Sequence, residues 1–335
     1  QQLRNEPTEP HVQTILVTGG AGFIGGVTTE MLCSAGHSVT VLDDLSTGDR
    51  ANLDARALFL EGDVGDAAFL DVLFTEHSID AVVHFAGFIA AGESMRVPSH
   101  YLEVNTGRSL TLFAAMARHG VRKVVFSSSA GVYGEPHFTP MTETHPTVPT
   151  SVYGLSKLLV EQALVAIAAQ GQLDFVALRY FNAAGGTQGH VECHQPESHL
   201  IPLALAAAAG HGPALSIFGT DYPTPDGTCI RDYVHVEDLA RAHLLALSAL
   251  DQGTTALVCN LGTGQGYSVT EVISTIERVT GRTVPAGVAP RRPGDPAELV
   301  AASDLAREVL GWVPERSSLE QLVTDAWDGY QTLHG

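Results

Sequence analysis

A short apolar run, Thr14-Ile15-Leu16-Val17-Thr18, passes without a break into Gly19-Gly20-Ala21-Gly22-Phe23-Ile24-Gly25. The spacing predicts an amphipathic helix to about Ala35, then a second strand from Ser38 to Leu42 that ends in Asp43-Asp44. Few architectures accept this order. A strand, a glycine turn, a helix, a strand and an acid about 20 residues on is the context in which a parallel sheet binds a dinucleotide. Gly19 permits the tight turn, Gly22 lets the backbone approach a pyrophosphate, and Gly25 lets the helix pack closely. The helix N-terminus then offers its unpaired N–H groups to the phosphates. Asp43 is placed to accept from the adenosine ribose hydroxyls, and with Asp44 beside it and no nearby arginine a 2′-phosphate is repelled. The expectation is NAD rather than NADP.

The alternation continues. Strands are expected at Leu58 to Leu60, Ala81 to Phe85, Lys123 to Phe126 and Phe175 to Leu178, with helices at Ala67 to Phe74, Ser99 to Arg118 and from Tyr153 onward. Repeated units of this length predict an α/β fold, a Rossmann-type doubly wound parallel sheet with helices on both faces. Ligands bind at the carboxyl ends of such strands, where Gly19, Asp43, Asp63, Ala86, Ser129 and Asn182 fall. After about residue 185 the pattern degrades into longer loops and isolated strands, Leu215 to Phe218 and Leu257 to Asn260. Ser268 to Glu271 and Ser318 to Gln321 have the form of capping boxes. We expect a dinucleotide-binding domain over 12–185 that takes back part of about 230–265, and a smaller, irregular, discontinuous substrate lobe over 186–335. Residues 1–11 read as a loose tail.

At 335 residues the chain can bury a substantial core, and its formal net charge of -19 argues against nucleic acid and anionic membranes as partners. No signal peptide is expected, nor an apolar run approaching the roughly 18 residues of a membrane span. Cys33, Cys193, Cys229 and Cys259 are scattered with no CxxC pair, as in a reduced cytoplasmic protein. No metal site is assigned.

Lysine occurs only at Lys123 and Lys157. The second stands four residues after Tyr153 at the head of a helical apolar run, so both side chains share one helix face. An arginine would serve a structural role there, but not one that needs a compact ammonium beside a phenol.

The blocks TGGAGFIG, YGLSK with an upstream SSS, and RYFNAAG resemble the extended short-chain dehydrogenase/reductases. GTDYPTPDGTCIRDYVHVEDLA, NLGTGQGYSV and APRRPGD are similar to the UDP-glucose 4-epimerases within that family, and the match runs from about Ile15 to Trp327. The GxxGxxG glycine spacing is the form this family uses.

The resemblance implies roles. Tyr153 would be the base that takes the proton from the sugar 4-hydroxyl, Lys157 would hold the nicotinamide ribose and favour the phenolate, and Ser129 would bridge hydroxyl and phenol. Gly19, Gly22, Phe23, Ile24, Gly25, Asp43, Asp44, Asp63 and Val64 would line the cofactor. Phe85, Ala86, Gly87, Asn105 and Ser127 would complete that lining, with Tyr180 near the nicotinamide. Asn182, His199, Leu200, Arg231 and Arg292 would hold the nucleotide diphosphate, with Phe218 and Asp295 also among the substrate-binding residues. Ile89 stands where the family usually has lysine, and His199 where asparagine is common. Leu299 falls where tyrosine favours plain hexoses and small residues admit N-acetylated ones, which leaves larger or pentose UDP-sugars open. The implied reaction is interconversion of UDP-galactose and UDP-glucose through a 4-keto sugar, with tightly held NAD not net consumed, in a homodimer formed through helices near 99–118 and 151–169. A sugar-nucleotide dehydratase would need an acid pair after Ser129, where Ala130 and Gly131 stand. A non-catalytic NAD-binding protein would be expected to lose Tyr153 or Lys157.

Overall fold

The computed structural model describes residues 12–334 apart from 193, 195, 196, 293 and 294. The expected tail and Cys193 therefore lie outside the described residues, while Cys33, Cys229 and Cys259 are free thiols. The first half runs β1 (Thr14–Thr18), α1 (Phe23–Ser34), β2 (Ser38–Asp43), β3 (Leu58–Glu61), α2 (Ala67–Glu76), β4 (Ala81–His84), α3 (Ala91–Ser94), α4 (Pro98–Tyr101), α5 (Arg108–Arg118), β5 (Lys123–Ser129), α6 (Val152–Ala169) and β6 (Asp174–Tyr180). The second runs β7 (Asn182–Ala184), α7 (Leu200–Ala209), β8 (Leu215–Phe218), β9 (Ile230–His235), α8 (Val236–Asp251), β10 (Ala256–Leu261), β11 (Gly266–Ser268), α9 (Val269–Thr280), β12 (Ala286–Ala289), β13 (Glu298–Leu299), α10 (Asp304–Leu310) and α11 (Leu319–His334).

The main sheet has seven parallel strands in the order β10-β6-β5-β4-β1-β2-β3. Strand order reverses between β1 and β4, and the crevice beyond their carboxyl ends is where such a sheet holds a ligand. The central strands read as unbroken apolar runs because both faces are covered; Ile15, Leu16 and Val17 are fully buried. One face packs beneath α1, α8 and α10 around Val41, Val83, Val176, Leu239 and Trp312. The other packs beneath α2, α5 and α6 around Leu16, Leu70, Leu112, Phe126 and Leu164.

Three sequence expectations need correction. The strand at Leu257 to Asn260 is not isolated: as β10 it lies parallel to β6 and forms the edge of the main sheet. The expected helix from Ser99 to Arg118 begins at Pro98 and is interrupted by a π-helical turn, Leu102–Gly107. The statement that no apolar run reaches spanning length also fails, since α6 is 18 residues with a mean hydropathy of 1.5. That helix packs against β5 and β6 and buries Lys157 and Glu161, the behaviour of a core helix.

The small lobe is organised on β9. It pairs with β11 antiparallel and with β13 and β7 in parallel, while β8 and β12 form a separate two-stranded ribbon. Helices α7, α9 and α11 close over a core containing Ile201, Leu205, Tyr233, Val272 and Leu322. Ser268 and Glu271 form the expected capping box at α9. At α11 only half of one forms. Ser318 accepts from the Gln321 N–H at 3.3 Å, while the Gln321 amide donates to Asp325 at 2.8 Å.

Candidate active site

The glycine turn is built for close backbone approach. Gly19 sits at φ +73°, where a Cβ would lie 2.6 Å from the Ala86 nitrogen, and a Cβ on Gly25 would lie 2.2 Å from the Gly19 carbonyl oxygen. Gly22 caps α1 with no side-chain hydrogen bond and no acid in the first turn, so the helix N–H groups stay open to an anion. A pyrophosphate fits that cradle, and the residues present suit a dinucleotide.

Asp43 at the end of β2 is buried, and burial raises its pKa, opposed by two backbone donors, Leu45 N–H at 2.8 Å and Ala21 N–H at 3.0 Å. It therefore shapes the turn first, and only its remaining lone pairs are free for a ribose. The expectation of no nearby arginine is wrong. Arg108, at the start of α5, lies 2.8 Å from Asp63, 3.7 Å from Asp44 and 3.3 Å from Glu103. Three carboxylates surround one guanidinium, so the patch stays net negative and still disfavours a 2′-phosphate.

Tyr153 and Lys157 lie one turn apart on α6. Ser151 caps the helix by accepting from Gly154 N–H at 3.1 Å, and Ser94 accepts from Tyr153 N–H at 3.0 Å. Burial pushes the Tyr153 phenol above its usual range, and a hydrogen bond to the Ser129 hydroxyl pulls it back. The same hydroxyl oxygen accepts from Gly131 N–H at 3.1 Å, so Ser129 caps its own turn as well as touching the phenol. Lys157 is 3% exposed and donates to the Ser127 carbonyl at 2.9 Å, over the Phe126 ring. Burial lowers its pKa to about 8. Lys157 turns to the end of β5, and Ser129 is what opposes burial at Tyr153.

Around this pair the cofactor candidates converge. The Asn105 amide in the π turn accepts from Phe88 N–H at 2.8 Å and donates to Phe88 O at 2.9 Å and to the Ser156 hydroxyl at 3.1 Å. Ser156 donates in turn to the Tyr153 carbonyl at 2.7 Å. A Cβ on Gly87 would meet the Asn105 oxygen at 2.9 Å and Lys157 Nζ at 3.9 Å. The wide π turn thus ties the end of β4 to α6, a placement such turns often have. Val64 is buried, the Phe85 ring packs tilted against His243 with centroids 4.6 Å apart, and Tyr180 hydrogen bonds His243 and Ser127.

The substrate candidates fall in two groups. Arg231 in β9 pairs with Asp295 and donates to Ile230 O at 2.7 Å; Leu299 is its register partner in β13, and Asn182 in β7 is the partner of Tyr233 two residues on. Exposed Arg292 lies 4.0 Å over the Phe218 ring, while its neighbour Arg291 pairs with Asp221 at 2.7 Å. Leu299 packs on Val132, Tyr133, Leu158 and Phe181, which joins the small lobe to the helix of Tyr153. His199, next to Leu200 at the start of α7, has its Nδ1 2.9 Å from both Glu192 and Glu197. Burial opposes a proton on it, but the two carboxylates raise its pKa to about 10. Its Nδ1 is occupied, so the structure does not bring it to a phosphate through that atom.

Three residues near the site escape the sequence reading. Arg179 and Glu161 form a buried ion pair behind Ser129, and His243 carries the Tyr180 hydroxyl. No local signal marks Arg179 or His243. Glu161 had one, since a lone acid at i+4 from Lys157 within an apolar helix needs a partner.

The sequence matches the family described as "NAD dependent epimerase/dehydratase family" over residues 15–262. It is 50% identical over 321 residues to the UDP-glucose 4-epimerase of Azospirillum brasilense, covering 95% of this chain and 92% of that one. The fold superposes on the UDP-glucose 4-epimerase of Brucella ovis in complex with NAD with a TM-score of 0.92 at 43% identity, covering 94% and 98% of the two chains. The UDP-glucose 4-epimerase of Stenotrophomonas maltophila with bound NAD and formylated UDP-arabinopyranose gives 0.93 at 40% identity, covering 96% and 99%.

Proposed function

From the premise that the chain belongs to the NAD-dependent epimerase/dehydratase family, we propose that it interconverts UDP-galactose and UDP-glucose at C4 of the sugar. The observation that carries this reading is the Tyr153–Ser129 contact beside a buried lysine, at the mouth of a glycine cradle that suits a dinucleotide.

In this reading Tyr153 takes the 4-hydroxyl proton and later returns it, and Ser129 holds the hydroxyl and the phenol in line. Bound NAD supplies a reversible acceptor for the C4 hydrogen and a positive ring that favours the phenolate. Lys157, held by Ser127 O, orients the ribose and keeps a positive charge at the site below its pKa of about 8. Asn182 and Arg231 grip the diphosphate, with Asp295 presenting the guanidinium, and Arg292 on Phe218 closes over the uridine. Guanidinium suits phosphate because it pairs with two oxygens at once. The sugar itself is held weakly, so the keto form turns over while its UDP stays anchored.

Ala130 and Gly131 in the turn after Ser129 supply no acid to expel water from the sugar, which favours epimerisation over dehydration. The deciding assay is UDP-galactose with purified protein and no added NADH. UDP-glucose should accumulate to equilibrium without net NADH; net NADH or a dehydrated sugar would overturn the reading.

Leu299 bears on substrate range. Shortening it should open the apolar wall it shares with Phe181 and Leu158. We expect Leu299→Gly to improve kcat/KM for UDP-N-acetylgalactosamine by about tenfold or more, as one large apolar side chain in a pocket commonly does. An unchanged ratio against UDP-galactose would exclude Leu299 from the sugar wall.

The reading also includes a homodimer through α5 and α6, which expose Leu110, Leu155 and Val165, and a cytoplasmic location consistent with free thiols at Cys33, Cys229 and Cys259.

A further inference from the structure

Between β7 and α7 the chain carries Glu192, His194, Glu197 and His199, and one donor atom from each comes within 4.8 Å of the others. His199 Nδ1 is 2.9 Å from Glu192 Oε1 and 2.9 Å from Glu197 Oε1. His194 Nδ1 is 3.6 Å from Glu192 Oε1 and 3.8 Å from Glu197 Oε2. Metal–ligand bonds of about 2.0–2.1 Å in a tetrahedron require donors roughly 3.3 Å apart. The four histidine–carboxylate separations bracket that edge.

Charge makes the same demand. The Glu192 side chain is 5% exposed and that of Glu197 16%, and among the described residues neither pairs with a lysine or arginine. Two carboxylates sequestered at this depth call for positive charge between them; in the metal-free chain a proton on His199 supplies part of it, and a divalent ion would displace that proton. Two neutral imidazoles and two carboxylates around such an ion bring the site to zero net charge.

A second observation points at the same spot. His194 Nδ1 is shielded from solvent and, among the described residues, has no hydrogen-bond partner, although both carboxylates lie within 4 Å of it. Glu197 is already oriented by donors from His194 N–H at 3.1 Å, Ser198 N–H at 2.7 Å and His199 N–H at 2.8 Å. Such outer bonds fix a ligating carboxylate.

We propose that Glu192, His194, Glu197 and His199 form a divalent transition-metal site, best suited to Zn2+, that fastens the segment after β7 to the first turn of α7. Two imidazoles select against Mg2+ and Ca2+, which prefer all-oxygen shells. The ion would be structural, since all four positions of its tetrahedron are filled by protein. The site stands on its own residues and does not depend on the proposed epimerase activity.

The test uses the full chain, stripped with a chelator and dialysed against Zn2+, with bound metal measured by mass spectrometry. About one Zn2+ per chain is expected, falling below about one-tenth in Glu192→Gln/His194→Ala. Co2+ in place of Zn2+ should give the strong visible bands of a tetrahedral N/O site in the parent protein only. Far-UV circular dichroism checks that the variant is folded. Should it unfold, the parent protein decides the matter alone: a chelator should lower its melting temperature, and Zn2+ but not Mg2+ should restore it. Substoichiometric Zn2+ in the parent protein, equal retention in the variant, or a melting temperature indifferent to chelator would each refute the site.

Discussion

Tyr153→Phe is expected to lower turnover about 10²–10⁴-fold, the usual loss when a positioned acid–base group is removed, while bound NAD and UDP affinity stay near those of the parent. Phenylalanine keeps the ring and loses only the hydroxyl, and Ser129 retains its Gly131 partner, so little else is disturbed. Single-turnover kinetics with UDP-galactose measure the loss; turnover within threefold of the parent would remove Tyr153 as the base. Ser129→Ala is the informative companion. Burial raises the Tyr153 pKa and the Ser129 hydrogen bond lowers it, so deleting that bond moves the pKa further up. Less phenolate then exists at neutral pH, and the rising limb of the pH–kcat profile should shift to higher pH. The recovery is bounded above, because Lys157 loses its charge as pH rises through about 8. A uniform loss with no shift would mean that Ser129 positions the sugar without acting on the phenol.

Arg179→Met should be the most damaging single change to stability, costing about 3–5 kcal/mol as one member of a buried ion pair is removed. Arg179 in β6 is 6% exposed and meets Glu161 of α6 through Nε at 2.9 Å and Nη2 at 2.6 Å. Its Nη1 donates to the Tyr133 hydroxyl at 2.9 Å, and Tyr133 donates to Asn260 of β10 at 2.6 Å. Ser128 of β5 also donates to Glu161. Three strands and the helix of Tyr153 thus share one polar cluster, and without Arg179 the Glu161 carboxylate is stranded in an apolar interior. Guanidinium unfolding gives the measurement. The double variant Glu161→Met/Arg179→Met should recover most of the loss, since no buried charge remains. A single variant within 1 kcal/mol of the parent would show that the pair is not supporting the sheet.

What could be read from the sequence was local. The turn from Gly19 to Gly25 and the acids after β2 declare themselves because strand, turn, helix and strand lie within one short stretch. Tyr153 and Lys157 are legible for the same reason, being one helical turn apart. The direction of the Lys157 ammonium was not legible, since it is decided by the Ser127 carbonyl on another element. Arg108 reaches Asp63 and Asp44 only after α5 packs beside the ends of β2 and β3, so proximity in sequence misjudged the charge there. The return of part of about 230–265 to the first domain was expected, but not that its strand is β10 paired on β6, because the two lie far apart in the chain. The Glu-x-His-x2-Glu-x-His spacing from 192 to 199 was visible, but it sits in a stretch with no helical or strand periodicity to draw notice.

The threading of β10 has a consequence for biosynthesis. A nascent polypeptide released up to about residue 250 carries β6 with one side unpaired, because the strand that covers it follows at Ala256–Leu261. Bare strand margins recruit other chains, and domains generally assemble as they leave the ribosome. The first domain therefore waits, with a sticky border, until translation has passed Leu261, well into the second. Chains truncated before Ala256 should accumulate as aggregates rather than as a free nucleotide-binding module.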